Sequence, residues 1–418
     1  MRLMVIGSGG REHAIVTYLA KNPDVEEIFT LPGNAGTAEI SKNADVKATD
    51  IAGMVKFAKD NDIDFAFIAP DDPLVLGAAD SLTEAGILCF GPTAAAAAIE
   101  GSKSFAKQLM KKYHIPTADF EVFDDYDKAL AYIISENSYP AVIKADGLAL
   151  GKGVTIAADR DEAEKALYAA MKDRVFGISG DRVVVERFMT GPEVSVLCFT
   201  DGNVIRPMVS AMDHKPAYDG NLGPNTGGMG AVAPNRHYTA EIAAQCMEEI
   251  FVPTMKAMNS EGRTFKGCLF FGLMLTPSGP RVVEYNCRFG DPETQAVLPL
   301  LETDLLTIVK AIAESKLADI DIKFSDRYSC CVVAASDGYP VKYETGKRIE
   351  FPASLDEDVY VFHAGTRLDG NEIVSSGGRV AGVTAVADTP EEARQKAYGT
   401  IARMHFDNIY YRKDIGTL

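Results

Sequence analysis

Two side chains with oxygen atoms suited to a metal stand two residues apart at the end of an apolar, strand-like run. They are Glu284 and Asn286, directly after residues 281–283. Because side chains alternate across a strand, both face the same way and could share one hard cation such as Mg²⁺, which would anchor a nucleoside triphosphate. Arg288 has the same parity, and its planar guanidinium suits a carboxylate or a phosphate. The alternative is an ordinary strand end followed by a Gly-Asp-Pro turn.

A glycine-rich loop, residues 145–153, joins two predicted strands and could fold its backbone amides over phosphate oxygens. It is not a Walker A loop, because three residues rather than four separate the first glycine from the Gly-Lys pair. Lys144 precedes the loop and Lys103 lies upstream, so two lysines could neutralise a triphosphate. A single lysine is usually a solvated surface charge, but the run around Lys144 is otherwise apolar. The glycines predicted to contact the nucleotide are Gly147, Gly151 and Gly153.

Two glutamates flank the junction between the next two predicted strands. Glu186 ends the run 183–185, and Glu193 follows a Gly-Pro pair at the start of the next strand. Their carboxylates could accept hydrogen bonds from an adenine amine and from ribose hydroxyls, with Phe188 as a further nucleotide contact. Taken singly, each glutamate is more typical of a charged strand edge that prevents pairing with other chains.

A long polar and glycine-rich segment, residues 213–230, connects later strands. It is poor in Lys and Glu and rich in flexible backbone positions, which favours a substrate-facing loop over an ordinary solvent loop. Its candidate binding residues are Asp213, Lys215, Asn225, Thr226 and Gly227.

Three loops should gather at the carboxyl edge of an N-terminal parallel sheet, where such sheets bind ligands. The first loop matches a dinucleotide-binding fingerprint only in part, because Glu12 stands where Gly or Ala is required. What remains is a helix N-terminus that could hold one phosphate, with a purely tight turn as the alternative. The candidate residues of the three loops are Gly9, Gly10, Arg11, Glu12, Asn34 and Asp71.

Four domains are expected to position these residues. Alternating strands and helices over residues 1–101 predict a doubly wound, Rossmann-like α/β domain with a parallel sheet. Residues 102–188 predict linker helices and a small sheet that carries a helix on one face, and the strand pattern assigns a further strand over 194–199 to this small sheet. Residues 189–325 add longer strands for an antiparallel sheet, and residues 326–418 form a small, mostly-β domain. The fold class is therefore multidomain α/β and α+β.

Two helices in this pattern bear on the site. One is predicted over residues 74–84 as a single element. The other contains the alanine run 94–98, with Thr93 as its N-cap, and is predicted to be a connector without chemistry of its own.

Composition restricts the kind of partner. The 418 residues carry a formal charge of -17, which opposes binding to nucleic acid or anionic membranes and favours small molecules. Seven cysteines without Cys-x-x-Cys spacing indicate reduced thiols and a cytoplasmic protein. We expect no targeting or membrane-spanning segment and no zinc site. We also expect a monomer, with a dimer as the alternative.

Together, the loop after Lys144, the junction at Glu186 and the pair of Glu284 and Asn286 resemble the ATP-grasp superfamily of ligases. Longer motifs resemble one family within it, the phosphoribosylamine–glycine ligases. The resemblance spans nearly the whole chain and implies the pre-ATP-grasp, lid, central and C-terminal domains of that family. The motifs are residues 9–13, 32–37, 144–147, 224–230, 286–293, 362–366 and 411–416.

The resemblance implies that ATP, glycine and 5-phosphoribosylamine give glycinamide ribonucleotide, ADP and phosphate through a glycyl phosphate, in de novo purine synthesis. Such chemistry requires positioning and charge neutralisation more than a protein nucleophile. The roles implied are Mg²⁺ or Mn²⁺ ligation by Glu284 and Asn286, ATP binding by Lys103, Lys144, Glu186 and Glu193, and catalysis by Arg288, Lys144, Asp213 and Asp291.

Three positions depart from the family pattern, and all lie on the substrate side. Asp71 stands where Glu is usual, Met212 replaces Gln, and Pro216 replaces a basic residue. An ATP-grasp ligase with a different acid or amine therefore stays open. The alternatives from other functional classes are an inactive nucleotide-binding module and a dinucleotide-binding protein built on the first glycine turn.

Overall fold

The structure is a computed structural model that describes residues 1–149 and 153–417. Its N-terminal domain is a five-stranded parallel sheet in the order β3-β2-β1-β4-β5, which confirms the predicted fold class. The strands are β1 (Arg2–Gly7), β2 (Glu27–Pro32), β3 (Lys42–Asn43), β4 (Phe65–Ile68) and β5 (Leu88–Phe90). The helices are α1 (Gly10–Leu19), α2 (Thr37–Ile40), α3 (Ile51–Asp60), α4 (Asp71–Val75) and α5 (Ala78–Glu84).

The prediction of one helix over residues 74–84 is wrong. The chain forms the two short helices α4 and α5, and Gly77 between them has a φ of +87°. A residue in this left-handed conformation ends a helix, and glycine adopts it without steric cost. Asp71 lies in the first turn of α4, which begins shortly after the carboxyl end of β4.

Two helices link this domain to the next sheet. They are α6 (Ala94–Gly101), which contains the alanine run, and α7 (Lys103–Lys112). The predicted cap of α6 is confirmed, because Thr93 Oγ1 accepts a hydrogen bond from Ala96 N at 3.3 Å. Ser102 caps α7 in the same way, through Phe105 N at 3.2 Å.

The small antiparallel sheet that follows has the strand order β6-β9-β7-β8 and is covered by two helices. Its apolar core lies between the sheet and these helices. The elements are β6 (Phe120–Phe123), α8 (Tyr126–Glu136), β7 (Ala141–Ala145), β8 (Val154–Ala157), α9 (Arg160–Met171) and β9 (Val183–Arg187).

The central domain contains a second antiparallel sheet, in the order β11-β10-β16-β17. The strand predicted over 194–199 belongs to this sheet, as β10, and not to the small one. The strands of this region are β10 (Glu193–Thr200), β11 (Ile205–Pro207), β12 (Met212–Asp213), β13 (Pro216–Tyr218), β14 (Leu222–Asn225), β15 (Gly230–Ala233), β16 (Gly267–Thr276) and β17 (Gly279–Asn286). The helices are α10 (Ala240–Cys246), α11 (Val252–Ser260), α12 (Glu293–Val297) and α13 (Leu305–Ala313).

The C-terminal sheet includes strands from two parts of the chain. Its order is β12-β15-β18-β22-β19, and β23 pairs with the last two residues of β18. The C-terminal elements are β18 (Tyr328–Ser336), β19 (Val359–His363), β20 (Thr366–Asp369), β21 (Glu372–Ser375), β22 (Arg379–Ala387), α14 (Pro390–Ile401) and β23 (Ile409–Tyr410). The C-terminal sheet therefore carries both ends of the 213–230 segment, and the domain boundary at residue 325 stays a prediction.

All seven cysteines are free thiols, and six of them are buried, as predicted for reduced core cysteines. Burial raises the pKa of the Cys198 and Cys268 thiols, so they stay protonated and pack as small apolar groups. In the ranges that the structure describes, no helix combines the length and the apolarity needed to cross a bilayer.

Two buried histidines join the N-terminal and C-terminal domains. His363 N donates to His13 Nδ1 at 2.8 Å, and the two rings lie edge to face with centroids 5.4 Å apart. Burial, and then repulsion from the protonated form of His363, lowers the pKa of His13 to about 3. Burial lowers the pKa of His363 to about 4. Both imidazoles are therefore neutral in the folded protein at neutral pH.

We expect the free energy of unfolding to fall between about pH 7 and about pH 5, because the unfolded chain binds protons there and the folded histidines do not. This stability is present above the unfolded pKa of about 6.5 and is lost as the pH falls towards the folded values, by roughly 2 kcal/mol for each histidine at about pH 5. Denaturant titrations at both pH values measure the loss. His13→Gln should reduce it, and His405→Gln on the exposed surface should not; an unchanged loss in His13→Gln would contradict this account.

Candidate active site

Phe289 anchors the segment that follows β17. Its side chain is 1% exposed and packs against the neighbouring rings of Phe67 and Phe90 in the N-terminal sheet, with ring centroids 5.9 and 6.0 Å away. On the other side it meets Phe199 of the central sheet at 5.8 Å. Buried aromatic rings supply large packing energies, so this contact holds residues 286–293 at the junction of the two domains.

Glu284 and Asn286 lie on the same face of β17, which confirms the prediction from alternation. Tyr285 between them is buried on the opposite side, and its hydroxyl is 2.9 Å from Thr254 Oγ1. Asn286 Nδ2 donates to Glu100 Oε1 at 2.7 Å. The amide oxygen of Asn286 is therefore directed away from Glu100 and is available to a ligand.

Four cationic side chains surround Glu284. Lys215 has the largest effect on the carboxyl group and lowers its pKa to about 2; Lys144, Lys103 and Arg288 add to this, and burial opposes it. Glu284 is thus ionised at neutral pH. Among the described residues, no cluster of three or more His, Cys, Asp or Glu could hold a metal. A cation at Glu284 would therefore complete its coordination with ligand oxygens and water.

Arg288 does not lie on the strand, because β17 ends at Asn286. Its position comes from an ion pair instead: Arg288 Nη2 is 3.4 Å from Glu100 Oε1. Arg288 Nε is buried and has no hydrogen-bond partner within residues 1–149 and 153–417. Because a buried N–H group without a partner is costly, Arg288 Nε is a candidate donor to a bound anion.

Lys144 belongs to a buried charge network. Glu186 Oε1 is 2.9 Å from Lys144 Nζ, and Glu186 Oε2 is 2.9 Å from Lys107 Nζ. Burial raises the pKa of Glu186, but the two lysines outweigh it and the net pKa is lowered. These contacts give Glu186 a role in orienting Lys144, so an adenine amine would have to displace a lysine to reach its carboxylate. No motif in the sequence marks Lys107.

The base of the glycine loop is tied to the start of α7. Lys103 Nζ donates to Gly147 O at 3.1 Å, and Asp146 Oδ1 accepts from Ser104 N at 2.6 Å. Lys103 and the loop are therefore adjacent, although 44 residues separate them in sequence. Gly153 O accepts from Ala145 N at 2.8 Å across the base of the loop. Gly151, also predicted to contact the nucleotide, lies outside the described residues.

Lys215, predicted to bind substrate, lies on the side predicted for the nucleotide. Its Nζ is 3.5 Å from Glu284 Oε1 and 3.5 Å from Glu193 Oε2. The Glu284 carboxylate raises the pKa of Lys215 against the effect of burial, and Glu193 adds to the rise. Phe188 follows β9 and is 39% exposed, so its ring is accessible to a ligand.

Arg379 connects the two loops on the opposite side of the site, and no motif in the sequence marks it. Its Nη1 donates to Gly227 O at 2.6 Å and to Asp291 O at 2.7 Å. Burial raises the pKa of Asp291, but Arg379 and then Arg11 outweigh it, so the net pKa is lowered. Asp291 Oδ1 also accepts from Gln295 Nε2 at 2.8 Å. Asp291 is therefore an ionised carboxylate in a fixed position.

Asp213 is the second carboxyl group on this side. Its Oδ1 is buried and finds no hydrogen-bond partner in the part of the chain that the structure describes. Burial, and then the charge of Glu293, raises the pKa of Asp213 well above its usual value. Glu293 is held by Ser195 Oγ, which donates to its Oε1 at 3.0 Å. A carboxyl group with a raised pKa and no hydrogen-bond partner among the described residues is a candidate for ligand contact or proton transfer.

Glu12 and Asn34 are engaged by the protein itself. Glu12 Oε2 accepts from Gly9 N at 2.6 Å, and its Oε1 pairs with Arg11 Nε at 2.7 Å. Asn34 Nδ2 donates to His363 O at 2.9 Å. These contacts fix the shape of the first loop, so both residues have a positioning role.

The start of α1 lies against the acceptor side of the site. A Cβ atom added to Gly9 would be 3.1 Å from Asp291 Oδ2, and one added to Gly10 would be 2.6 Å from Gln295 Nε2. Asp71, in the first turn of α4, adds negative charge near Arg288. The N-terminal domain therefore approaches the site through small residues.

The hairpin of β13 and β14 leads to the loop residues Asn225, Thr226 and Gly227. Thr226 Oγ1 donates to Lys215 O at 2.7 Å, whereas Asn225 is exposed. The C-terminal tail clamps this hairpin: Arg412 Nη1 donates to Pro216 O at 3.0 Å, and Arg412 Nε donates to Asp414 Oδ1 at 2.7 Å. A buried, charge-assisted pair of this kind restrains the loop.

The arrangement has two chemically distinct sides. The first side presents lysines and metal-type oxygens, which suit a polyphosphate. The second presents a guanidinium and two carboxyl groups with opposite pKa shifts, which suit an acid and an amine. The residues of the first side are Lys103, Lys144, Lys215, Glu284 and Asn286, and those of the second are Arg288, Asp213 and Asp291.

Known proteins resemble this chain over its whole length. Family models for phosphoribosylglycinamide synthetase match it in three parts: the N domain at residues 1–100, the ATP-grasp (A) domain at 101–294 and the C domain at 329–418. A phosphoribosylamine–glycine ligase of Caldanaerobacter subterraneus is 48% identical over 415 residues, which is 99% of each chain. That of Clostridium acetobutylicum is 46% identical, over 100% of this chain and 99% of the relative. The crystal structure of the phosphoribosylamine–glycine ligase from Thermotoga maritima has a TM-score of 0.87 and 34% identity, over 99% of this chain and 100% of that one.

Proposed function

Because the chain belongs to the phosphoribosylglycinamide synthetase family, it is an ATP-dependent ligase, and we propose that its site joins glycine to 5-phosphoribosylamine. The products are glycinamide ribonucleotide, ADP and phosphate, in purine biosynthesis. One observation carries this proposal: an ionised Glu284 and a free amide oxygen on Asn286 lie next to Arg288, whose buried Nε has no partner among the described residues.

In the first step, a carboxylate oxygen of glycine bonds to the terminal phosphorus of ATP, and the bond from that phosphorus to ADP breaks. The product is glycyl phosphate. Lys103 and Lys144 reduce the negative charge that repels the incoming carboxylate, and Arg288 orients that carboxylate through its free N–H. No protein nucleophile is required for this step.

Glu284 and Asn286 are the residues that would hold Mg²⁺ or Mn²⁺. When bound, such a cation neutralises phosphate oxygens and fixes their orientation. The ionised state of Glu284 and the orientation of the Asn286 amide fit a hard cation.

In the second step, the amine of 5-phosphoribosylamine bonds to the carbonyl carbon of glycyl phosphate, the bond to phosphate breaks, and the amine loses a proton. Asp291, which Arg379 keeps ionised, can accept a hydrogen bond from the amine and orient it; its lowered pKa makes it a weak base, so the proton leaves with the departing phosphate. Asp213 has a raised pKa and is suited to donate a hydrogen bond in its protonated form.

The proposed partners are small molecules only. The reduced cysteines are in keeping with a cytoplasmic location, which we retain as a proposal. We also propose that the protein is a monomer, with a dimer as the alternative.

The reaction is tested by mixing the purified protein with ATP, Mg²⁺, glycine and freshly formed 5-phosphoribosylamine. ADP should appear above the blank without glycine, and its absence would overturn the proposal. Replacing glycine with alanine or serine should abolish the release of ADP, because a glycine pocket has no room for a side chain.

Equal turnover with another acid or amine would favour a different ATP-grasp ligase, as the departures from the family pattern at Met212 and Pro216 allow. Tight binding of a nicotinamide cofactor without ATP binding would favour the dinucleotide-binding alternative.

We expect Arg379→Gln to raise the KM for 5-phosphoribosylamine by about tenfold or more, since a charge-assisted hydrogen bond contributes roughly 1.5–3 kcal/mol. The reason is that Arg379 holds Gly227 and Asp291 together, whereas it contacts none of the lysines on the ATP side. Steady-state kinetics with each substrate varied in turn measure the effect, and the KM for ATP should stay close to its original value. Arg367→Gln, which removes only a surface pair with Asp369, is the control. An unchanged amine KM in Arg379→Gln would contradict the assignment.

A further inference from the structure

Glu100, at the end of α6, contacts three consecutive residues of the site. Its Oε1 accepts from Asn286 Nδ2 at 2.7 Å, and its Oε2 accepts from Cys287 N at 2.7 Å. Its Oε1 also pairs with Arg288 Nη2 at 3.4 Å. The side chain is 7% exposed. The helix that was predicted to be a plain connector therefore ends in a buried charge within the site.

This position is unfavourable for a carboxylate unless it is compensated. Burial removes water from the charge, and the C-terminal end of a helix is the negative end of its dipole. The three donors from residues 286–288 offset both costs. A buried carboxylate with all its hydrogen bonds satisfied, such as Glu100, fixes the positions of the groups that donate to it.

The charge of Glu100 determines which way the Asn286 amide faces. A carboxylate only accepts hydrogen bonds, so the atom of Asn286 that faces it must be the NH₂ nitrogen. The amide oxygen is left free, on the side of the strand where Glu284 lies. Without this constraint, the amide could rotate by half a turn and present a donor to the cation.

We propose that Glu100 is a positioning residue that directs the Asn286 oxygen towards the metal and holds Arg288 towards the acid, so that one carboxylate aligns both sides of the site. The proposal rests on the proposed function, because it takes Asn286 to be a metal ligand. It concerns a residue that is not itself a ligand of metal or substrate.

The isosteric change Glu100→Gln should reverse the Asn286 amide. Cys287 N still needs an acceptor, so it keeps the oxygen of the new side chain, and the new NH₂ group faces Asn286. Asn286 must then accept with its oxygen, and its own NH₂ group turns towards the cation. Arg288 loses its ion-pair partner in the same change.

The test is binding of Mn²⁺ in the presence of ATP, measured as the fall in the electron paramagnetic resonance signal of the free ion relative to the same mixture of Mn²⁺ and ATP without protein. Glu100→Gln should weaken Mn²⁺ binding by roughly 10–100-fold, the usual effect of losing a residue that orients a metal ligand. The matched control is Asp201→Asn, which also removes a buried carboxylate that accepts from backbone amides but lies in the turn after β10. If the unmodified protein binds no Mn²⁺ with ATP, the proposed metal site fails. If it binds and folded Glu100→Gln binds equally well, the inference about Glu100 fails.

A paired exchange keeps the test decisive if the single variant folds poorly. In Glu100→Gln with Asn286→Asp, the new NH₂ group donates to one oxygen of the new carboxylate, and the other oxygen remains for the cation. Mn²⁺ affinity should recover most of the way to that of the unmodified protein, whereas Asn286→Asp alone places two carboxylates in contact and should bind weakly. A double variant that binds no better than the two single variants would overturn the proposal.

Discussion

Glu284→Ala should reduce turnover by about 10³-fold or more, because a bound cation contributes several kcal/mol to phosphoryl transfer and each 1.36 kcal/mol corresponds to about tenfold in rate. Glu284 is the only anionic member of the proposed metal pair, and neighbouring cations keep it ionised. Without it, the phosphates would face three lysines but no fixed cation. We expect Glu284→Gln to reduce turnover almost as much, since glutamine retains an oxygen atom but loses the negative charge.

Release of ADP at saturating ATP, glycine and amine measures this loss, and circular dichroism shows whether the variant is folded. Glu261→Gln is the control, because Glu261 forms only a surface contact with Lys112 and Tyr113. A melted spectrum in Glu284→Ala would show that the residue is structural, and full activity would exclude it from the metal site.

Arg288→Lys should lower kcat/KM for glycine by roughly 10²–10³-fold, the effect of removing a donor aimed at charge that develops in the transition state. Lysine keeps the positive charge but lacks the planar group that lets Arg288 pair with Glu100 while its Nε remains free for a ligand. The affinity for ATP should change little, because the lysines that face the triphosphate are unaltered.

Kinetics with glycine varied at saturating ATP, together with direct ATP binding, distinguish these two effects. Arg281→Lys is a matched control on β17, the strand that precedes Arg288, since its guanidinium bonds to Thr117 O and Ser278 Oγ. Arg288→Lys that kept the original kcat/KM would remove Arg288 from the acid site. A parallel loss of ATP affinity would place it with the nucleotide instead.

The elements of the fold could largely be read from the sequence because each depends on its own neighbours. The parallel sheet of the N-terminal domain and the helices between its strands follow from apolar runs that alternate with helical periods. The common face of Glu284 and Asn286 follows from the two-residue period of a strand. The break at Gly77 was missed because the helical spacing of apolar residues continues through it, although the backbone at Gly77 leaves the helical conformation.

Residues that only orient others could not be found in this way. Glu100, Lys107 and Arg379 belong to no motif, and each acts on a segment far away in sequence; Glu100 and Asn286, for example, are 186 residues apart. Lys215 was assigned to the substrate because its loop is glycine-rich, but its side chain pairs with Glu193 and Glu284.

The sequence by itself therefore established the fold class, the strand that carries Glu284 and Asn286, the lysines near the glycine loop and the kind of chemistry they suit. These features depend on alternation, helical period and residue type, which are local properties. The tertiary structure established which way the Asn286 amide faces, what holds Arg288 and how the C-terminal sheet reaches the acceptor side. Those features depend on the packing of distant segments around Phe289 and on buried charges that must find partners. Neither produces a periodic pattern in the sequence.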